Sequence, residues 1–284
     1  MKIKQGFWSQ AFMNLYQNKL GFFCAIFCII LIVAGLLAPW LTPYPYNEPH
    51  YYPYAYSGPT LKFIMGTDDL GRDLFSRLLY SLHNAILISI GATLLSVIVG
   101  GTLGALAGYV GGTLDFILMR ITDIMFAFPS FLFSIVLVTS LGRGIPVMLL
   151  AVGVTSWVGM ARLMRAQVLV VKNLEYVEMA RVLGASHWRI ITRYIIPNSL
   201  GPLIVSITFS IPGAMMVESG LSYLGMGVQP PIPSWGTLIA EGAGAIRYYQ
   251  HLFIYPAASF ALVLLAFTYL GDALQDALSG KKQS

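Results

Sequence analysis

Residues 20–40 read LGFFCAIFCIILIVAGLLAPW, without one charged side chain. A helix rises about 1.5 Å per residue, so a run of about 20 apolar residues crosses a hydrocarbon layer of about 30 Å. The core of a cleavable signal peptide would be only about 7–15 residues long. The run, preceded by Lys2, Lys4 and Lys19, therefore reads as an uncleaved first span. Cys24 and Cys28 lie four residues apart inside it, on one face of a helix in lipid. They read as small packing residues rather than a disulfide or a zinc site.

Five further stretches qualify or nearly qualify as spans: 85–109, 124–141, 145–161, 199–217 and 252–271. Of the six, the third and fourth, 124–141 and 145–161, are separated by Gly142, Arg143 and Gly144, a tight turn between antiparallel helices. Composition agrees: 57% of the 284 residues are hydrophobic and only 10% are charged, with a mean hydropathy of +0.72. Soluble domains carry roughly 25% charged residues. The expected fold is all-α, a polytopic membrane protein with about six transmembrane helices whose exterior faces lipid. The chain divides into an N-terminal segment 1–19, a first span 20–41, an outer loop 42–84 with an amphipathic segment from Gly66 to Tyr80, a five-span core 85–276 that includes the loop 162–198, and a tail 277–284.

Orientation follows from the basic residues. With both termini on one side, that side holds twelve of the seventeen lysines and arginines and the other five. Positive charge resists translocation, so both termini are expected in the cytoplasm. The formal net charge of +5 is spread between spans, so no nucleic-acid partner is expected. The outer loops 42–84 and 219–251 are rich in proline and aromatic residues; they read either as inert loops or as segments dipping back toward the headgroups. Gly100, Gly104 and Gly108 recur every four residues, a ridge that lets another backbone approach closely. Pro129, Pro202 and Pro212 fall inside expected spans and can kink them.

The loop RLMRAQVLVVKNLEYVEMARVLGASHWRIITRYIIPN, 162–198, carries six basic and two acidic residues, a net +4. Apolar Val177, Ala180, Val182 and Leu183 precede Gly184, and Trp188, Ile190 and Ile191 follow it. The reading is a helical hairpin, polar outside and anchored by its apolar residues, with Gly184 supplying the reversal.

Glu178, Met179, Ala180, then Gly184-Ala185-Ser186 and finally Ile196-Pro197, resemble the signature loop of binding-protein-dependent ABC importer permeases. Met179, Tyr194 and Ile196 depart from that pattern but stay bulky or apolar. A second group narrows the resemblance. Gly66-Thr67-Asp68-Asp69-Leu70-Gly71-Arg72-Asp73, the run Glu218-Ser219-Gly220-Leu221-Ser222, Pro233-Ser234-Trp235-Gly236 and Gly271-Asp272-Ala273-Leu274 are similar to the C-type permeases of dipeptide, oligopeptide and nickel importers. The resemblance implies a type I, MetI-like importer fold in a bacterial cytoplasmic (inner) membrane. It implies a second homologous permease, two cytoplasmic ATPases that bind ATP and Mg, and an extracellular or periplasmic binding protein. Residues 178–186 would be the coupling helix seated in an ATPase. The cargo would be a di- or oligopeptide, with nickel or a metal chelate as the runner-up.

Other residues carry weaker signals. Asp123, Glu218 and Asp272 lie in or beside spans, where an ionisable group defaults to function. Asp123 and Asp272 read as structural; Glu218 reads as a gate or an inter-helix contact. Asp68, Asp69 and Asp73 put three carboxylates in six residues, but Arg72 among them favours capping and ion pairs over a metal. No phosphate-cradling loop, His-Glu-x-x-His or Gly-x-Ser-x-Gly pattern occurs, so neither a catalytic residue nor a bound cofactor is expected in this chain. A secondary transporter, the rival class, would show internal repeats and polar groups at mid-membrane.

Overall fold

A computed structural model describes residues 7–279. Lys2, Lys4, Lys281 and Lys282, four of the basic residues that set the expected orientation, lie outside the described residues. The helices are α1 (Phe7–Gln17), α2 (Lys19–Leu36), α3 (Ala38–Leu41), α4 (Tyr51–Tyr54), α5 (Leu74–Val110), α6 (Gly112–Ala127), α7 (Ser130–Leu141), α8 (Ile145–Val171), α9 (Glu175–Val182), α10 (His187–Ile190), α11 (Ile196–Tyr223), α12 (Trp235–Ala245) and α13 (His251–Ser279). A π-helical turn, Ile191–Ile195, joins α10 to α11. Pro197 has no N–H to offer and its ring crowds the preceding turn, so the helix widens there. Among the described residues the sole β-pairing is an isolated bridge between Thr67 and Asp73.

Five helices are long and apolar enough to cross a membrane, and α6 with α7 make a sixth span only if the bent pair is counted as one. The expected third span, 124–141, is thus corrected. Its residues are shared between two helices whose axes differ by 85°. Phe128, held extended before Pro129 (φ −82°, ψ 132°), cannot continue the helix because the proline ring disfavours the α region for its neighbour. Pro202 and Pro212, by contrast, lie inside a continuous α11. The second span is also longer than expected: α5 starts at Leu74 rather than at 85, because Asp73 caps it by accepting from Ser76 N. Residues 74–80, about half of the amphipathic segment 66–80, are therefore the first two turns of a 37-residue helix, about 55 Å long.

The glycine ridge fixes the centre of the bundle. Gly100, Gly104 and Gly108 of α5 lie against the backbone of α8. A Cβ on Gly100 or Gly104 would run into the carbonyl oxygens of Trp157 and Ala161. The Ser96 hydroxyl donates across the same seam to the Ser156 carbonyl, 3.1 Å away. On α2 a stripe of small residues, Gly21, Cys24, Cys28 and Gly35, is buried. Gly21 faces Ala273 and Gly35 faces Ile86, while Phe23, Ile29 and Ile30 on the other face are exposed. Both cysteines are free and buried.

The two long connections, 42–84 and 219–251, contain packed structure of their own. Phe63 is fully buried among the rings of Tyr44, Tyr54 and His50. Ser234 caps α12 in a reciprocal capping box with Thr237, and Gly236 brings α12 against the backbone of Ser219 and Tyr223. The buried Trp235 donates from Nε1 to Ser259 Oγ at 3.0 Å. Asn84 of α5 ties down the turn before α12 through the Pro233 carbonyl, 2.9 Å away.

Gly104→Leu should abolish the α5–α8 seam and the folded yield of the protein, since overpacking alone costs about 1–3 kcal/mol. Gly101→Ala, three positions away with open space at its Cβ, should be recovered at parental yield. Monodispersity in detergent by size-exclusion chromatography separates the two.

Candidate functional site: the α9–α10 hairpin and the capped end of α5

The two motif-rich regions lie at opposite ends of α5. At its C-terminal end, α8 runs on to Val171, so Arg162 and Arg165 belong to a helix. The projecting part of the expected loop 162–198 shrinks to residues 172–195. The apolar stripe explains this: Met164, Val168 and Val171 continue the buried face of α8 into one cluster with Val177, Ile190, Ile195 and Leu203. Arg165 holds Asp115 with two bonds of 2.6 and 2.7 Å, and Arg162 meets Asp123 at 2.7 Å. Both pairs join α8 to α6.

Gly184 has a φ of +81°, the left-handed region in which other residues are strained. The Ala185 N–H returns to the Ala180 carbonyl at 3.0 Å, and Ser186 Oγ caps α10 by accepting from Arg189 N at 3.3 Å. Glu178 and Met179 lie on the exposed face of α9, with Ala180 beneath. Ile196 and Pro197 open α11. The expectation that all the apolar residues anchor the hairpin is corrected. Val177, Ala180 and Ile190 point inward, but Val182 and Leu183 are each 82% exposed and Trp188 is 75% exposed. A turn this short brings only one helical face over the core, so its other apolar side chains form a tip.

At the N-terminal end of α5, residues 66–73 fold into a charged turn. Gly66 and Gly71 both have positive φ; a Cβ on Gly66 would strike the Ser57 carbonyl, and one on Gly71 the Tyr51 amide. Thr67 is fully buried and bonds both the Tyr54 carbonyl and Ser57 N. Asp68 accepts from Arg72 N and Nε at 2.9 and 2.7 Å and from Arg77 Nη1. Arg77, 3% exposed, also reaches Glu241 of α12 at 3.0 and 3.4 Å. Asp73 takes no part in these pairs and caps α5, while Asp69 is 54% exposed and meets Arg72 at 3.4 Å. The turn, α5 and α12 border a small cavity of about 210 Å³. Sequence reasoning placed Arg77 in the run Phe75-Ser76-Arg77-Leu78-Leu79 that resembles the C-type permeases but gave it no partner, and it missed Glu241. Arg77 lies on the helical face of Asp73, a spacing of four that could have drawn attention to it, but nothing local marks Glu241.

Glu218 is 1% exposed. Its carboxylate accepts from Ser219 and Ser222 of its own helix at 3.1 and 2.8 Å, and the Ser234 hydroxyl of the α12 cap interacts with it too.

A family model described as binding-protein-dependent transport system inner membrane component matches residues 100–283. The chain belongs to this family. A model for the N-terminal TM domain of oligopeptide transport permease C matches residues 6–59 of the permease. It is 40% identical to the oligopeptide transport system permease protein OppC of Bacillus subtilis over 78% of this chain and 73% of that protein. It is 41% identical to the dipeptide transport system permease protein DppC of the same organism, over 78% and 70%. It is 39% identical to the glutathione transport system permease protein GsiD of Pectobacterium atrosepticum, over 84% and 80%. A chain of the MetNI methionine ABC transporter, solved in inward-facing conformations, shares its fold with a TM-score of 0.56 at 15% identity, covering 71% of this permease and 96% of that chain. The permease is thus a multi-pass membrane subunit with the ABC importer fold, and not an enzyme; its family binds no cofactor itself.

The buried pairs of Arg77 set the stability of the α5 end. Arg77→Met should lower the unfolding free energy by about 1.5–3 kcal/mol, because it takes one of two guanidinium partners from the buried Asp68 and leaves it only Arg72. Asp69→Ala, at an exposed pair, should change it by less than about 1 kcal/mol. Thermal unfolding in detergent, followed by tryptophan fluorescence, ranks the two variants.

Proposed function

We propose that this permease forms half of the translocation pathway of a binding-protein-dependent importer for di- or oligopeptides. Its second half is a homologous permease; two ATPases carrying ATP and Mg dock on the α9–α10 side, and an external binding protein delivers cargo to the α12 side. Both termini are then cytoplasmic. One observation carries the docking part: Val182, Leu183 and Trp188 stand exposed on a hairpin whose base is buried. An apolar tip outside the lipid-facing belt marks a protein contact. The residues beside it, Glu178, Met179 and Arg181, supply charge and shape for a groove. Relatives named for oligopeptide, dipeptide and glutathione transport support a peptide cargo over a metal chelate. Closure of the ATPases would move the hairpin and rock the permeases as rigid bodies between two packed states.

Gly184→Val should strain the turn by about 1–2 kcal/mol without a steric clash, since nothing lies within 4 Å of its Cβ. Glu178→Lys reverses a charge on the exposed face. Both variants should insert normally, retain less ATPase on co-purification and import a labelled tripeptide at about a tenth of the parental rate or less. Parental uptake by both in reconstituted vesicles would remove the hairpin from the docking site.

A further inference from the structure

Both roots of the hairpin are bonded to the same turn of α5. At its start, Lys172 Nζ donates to the Gly108 carbonyl at 2.7 Å. At its far side, His187, the first residue of α10, shares a hydrogen bond of 2.7 Å between its Nδ1 and Tyr109 Oη, and the two rings meet edge to face at 5.7 Å. Gly108 and Tyr109 are consecutive, and Gly108 is also where α5 touches the backbone of α8 at Arg165. The last turn of α5 has free carbonyls that no helical N–H can reach, and Lys172 satisfies one of them. Tyr109 sits beside the buried cluster under the hairpin, which holds its ring in place.

We propose that Tyr109 and His187, supported by Lys172, are positioning residues that tether the hairpin to α5, so that force applied at the hairpin moves α5 with it. The proposal rests on the docking reading above and adds the path by which motion leaves the hairpin. Without the tether the hairpin would reach α5 only through apolar packing, by the cluster beneath it and by the seam between α5 and α8. With it, the same push reaches the 37-residue α5 and, at the other end of that helix, the Arg77 pairs with Asp68 and Glu241. A rigid helix whose two ends are both pinned transmits displacement along its axis with little loss, which is how a shift of about 1–2 Å at one interface becomes a change of packing elsewhere.

The test uses the assembled importer in lipid nanodiscs, with Cys24→Ala and Cys28→Ala as background and spin labels at Leu106→Cys on α5 and Glu175→Cys on α9, both exposed. Distances between the labels are measured with and without ATP and vanadate. With the tether intact, the distribution should stay narrow and shift by less than about 2 Å. Tyr109→Phe and His187→Ala should each broaden it, and the double variant should be no worse than either single one, as expected for partners in one bond. His187→Asn, which returns an acceptor near the position of Nδ1, should restore the narrow distribution. The same variants should hydrolyse ATP within about twofold of the parent while uptake of a labelled tripeptide falls about fivefold, so that more ATP is spent per import event. Identical distributions in parent and variants, or a parental shift above about 5 Å, would overturn the tether. Failure of the ATPases to co-purify with the parent would instead overturn the docking reading, and it is scored in the same preparation.

Discussion

The contact on which the rest of this bundle depends is the meeting of two backbones, α5 and α8, at Gly100, Gly104 and Gly108. In lipid no hydrophobic force draws helices together, so association depends on close van der Waals packing and on polar bonds such as Ser96 to Ser156. Three positions without a Cβ let the chain come close enough for both. Once α5 and α8 are fixed as a pair, α11 packs against both, α13 packs on α11, and α2 closes the outside with its own stripe of small residues.

Charge is placed where the seam ends. Asp115 with Arg165 and Asp123 with Arg162 join α6 to α8 near one end, and Asp68, Arg72, Arg77 and Glu241 gather at the other. Between them α5 carries no Asp, Glu, Lys or Arg from Leu78 to Val110. That division follows from solvent: an ion in the hydrocarbon centre costs at least about 2.5 kcal/mol, whereas at either end it meets a partner or water. The charges therefore do what apolar residues cannot do in a membrane, which is to give the ends of the bundle a unique mutual arrangement.

Much of this was legible in the sequence, for identifiable reasons. Span number and the tight turn at Gly142–Gly144 follow from hydropathy and length, and the glycine ridge announced a close approach without saying to which helix. Pro129 was visible as a kink, but a bend of 85° depends on what the two halves pack against. The hairpin was legible as a pattern, yet Val182, Leu183 and Trp188 look the same in sequence as Val177 and Ile190; only the core beneath decides which side is covered. Arg77 and Glu241 lie 164 positions apart, and no local rule joins residues so distant. Tyr109, one aromatic residue among many, gave no signal at all.

The break at Phe128 and Pro129 bears on where lipid can be. α7 has twelve residues, about 18 Å of helix, against a hydrocarbon layer of about 30 Å. The turn that completes the crossing has backbone groups outside any helix, and such groups are tolerated at membrane depth only against protein or water. The kink therefore interrupts the helical surface at Phe128 and Pro129, where bare hydrocarbon is a poor solvent for the backbone even though the side chains around it, Phe126, Phe128 and Leu132, are apolar and exposed.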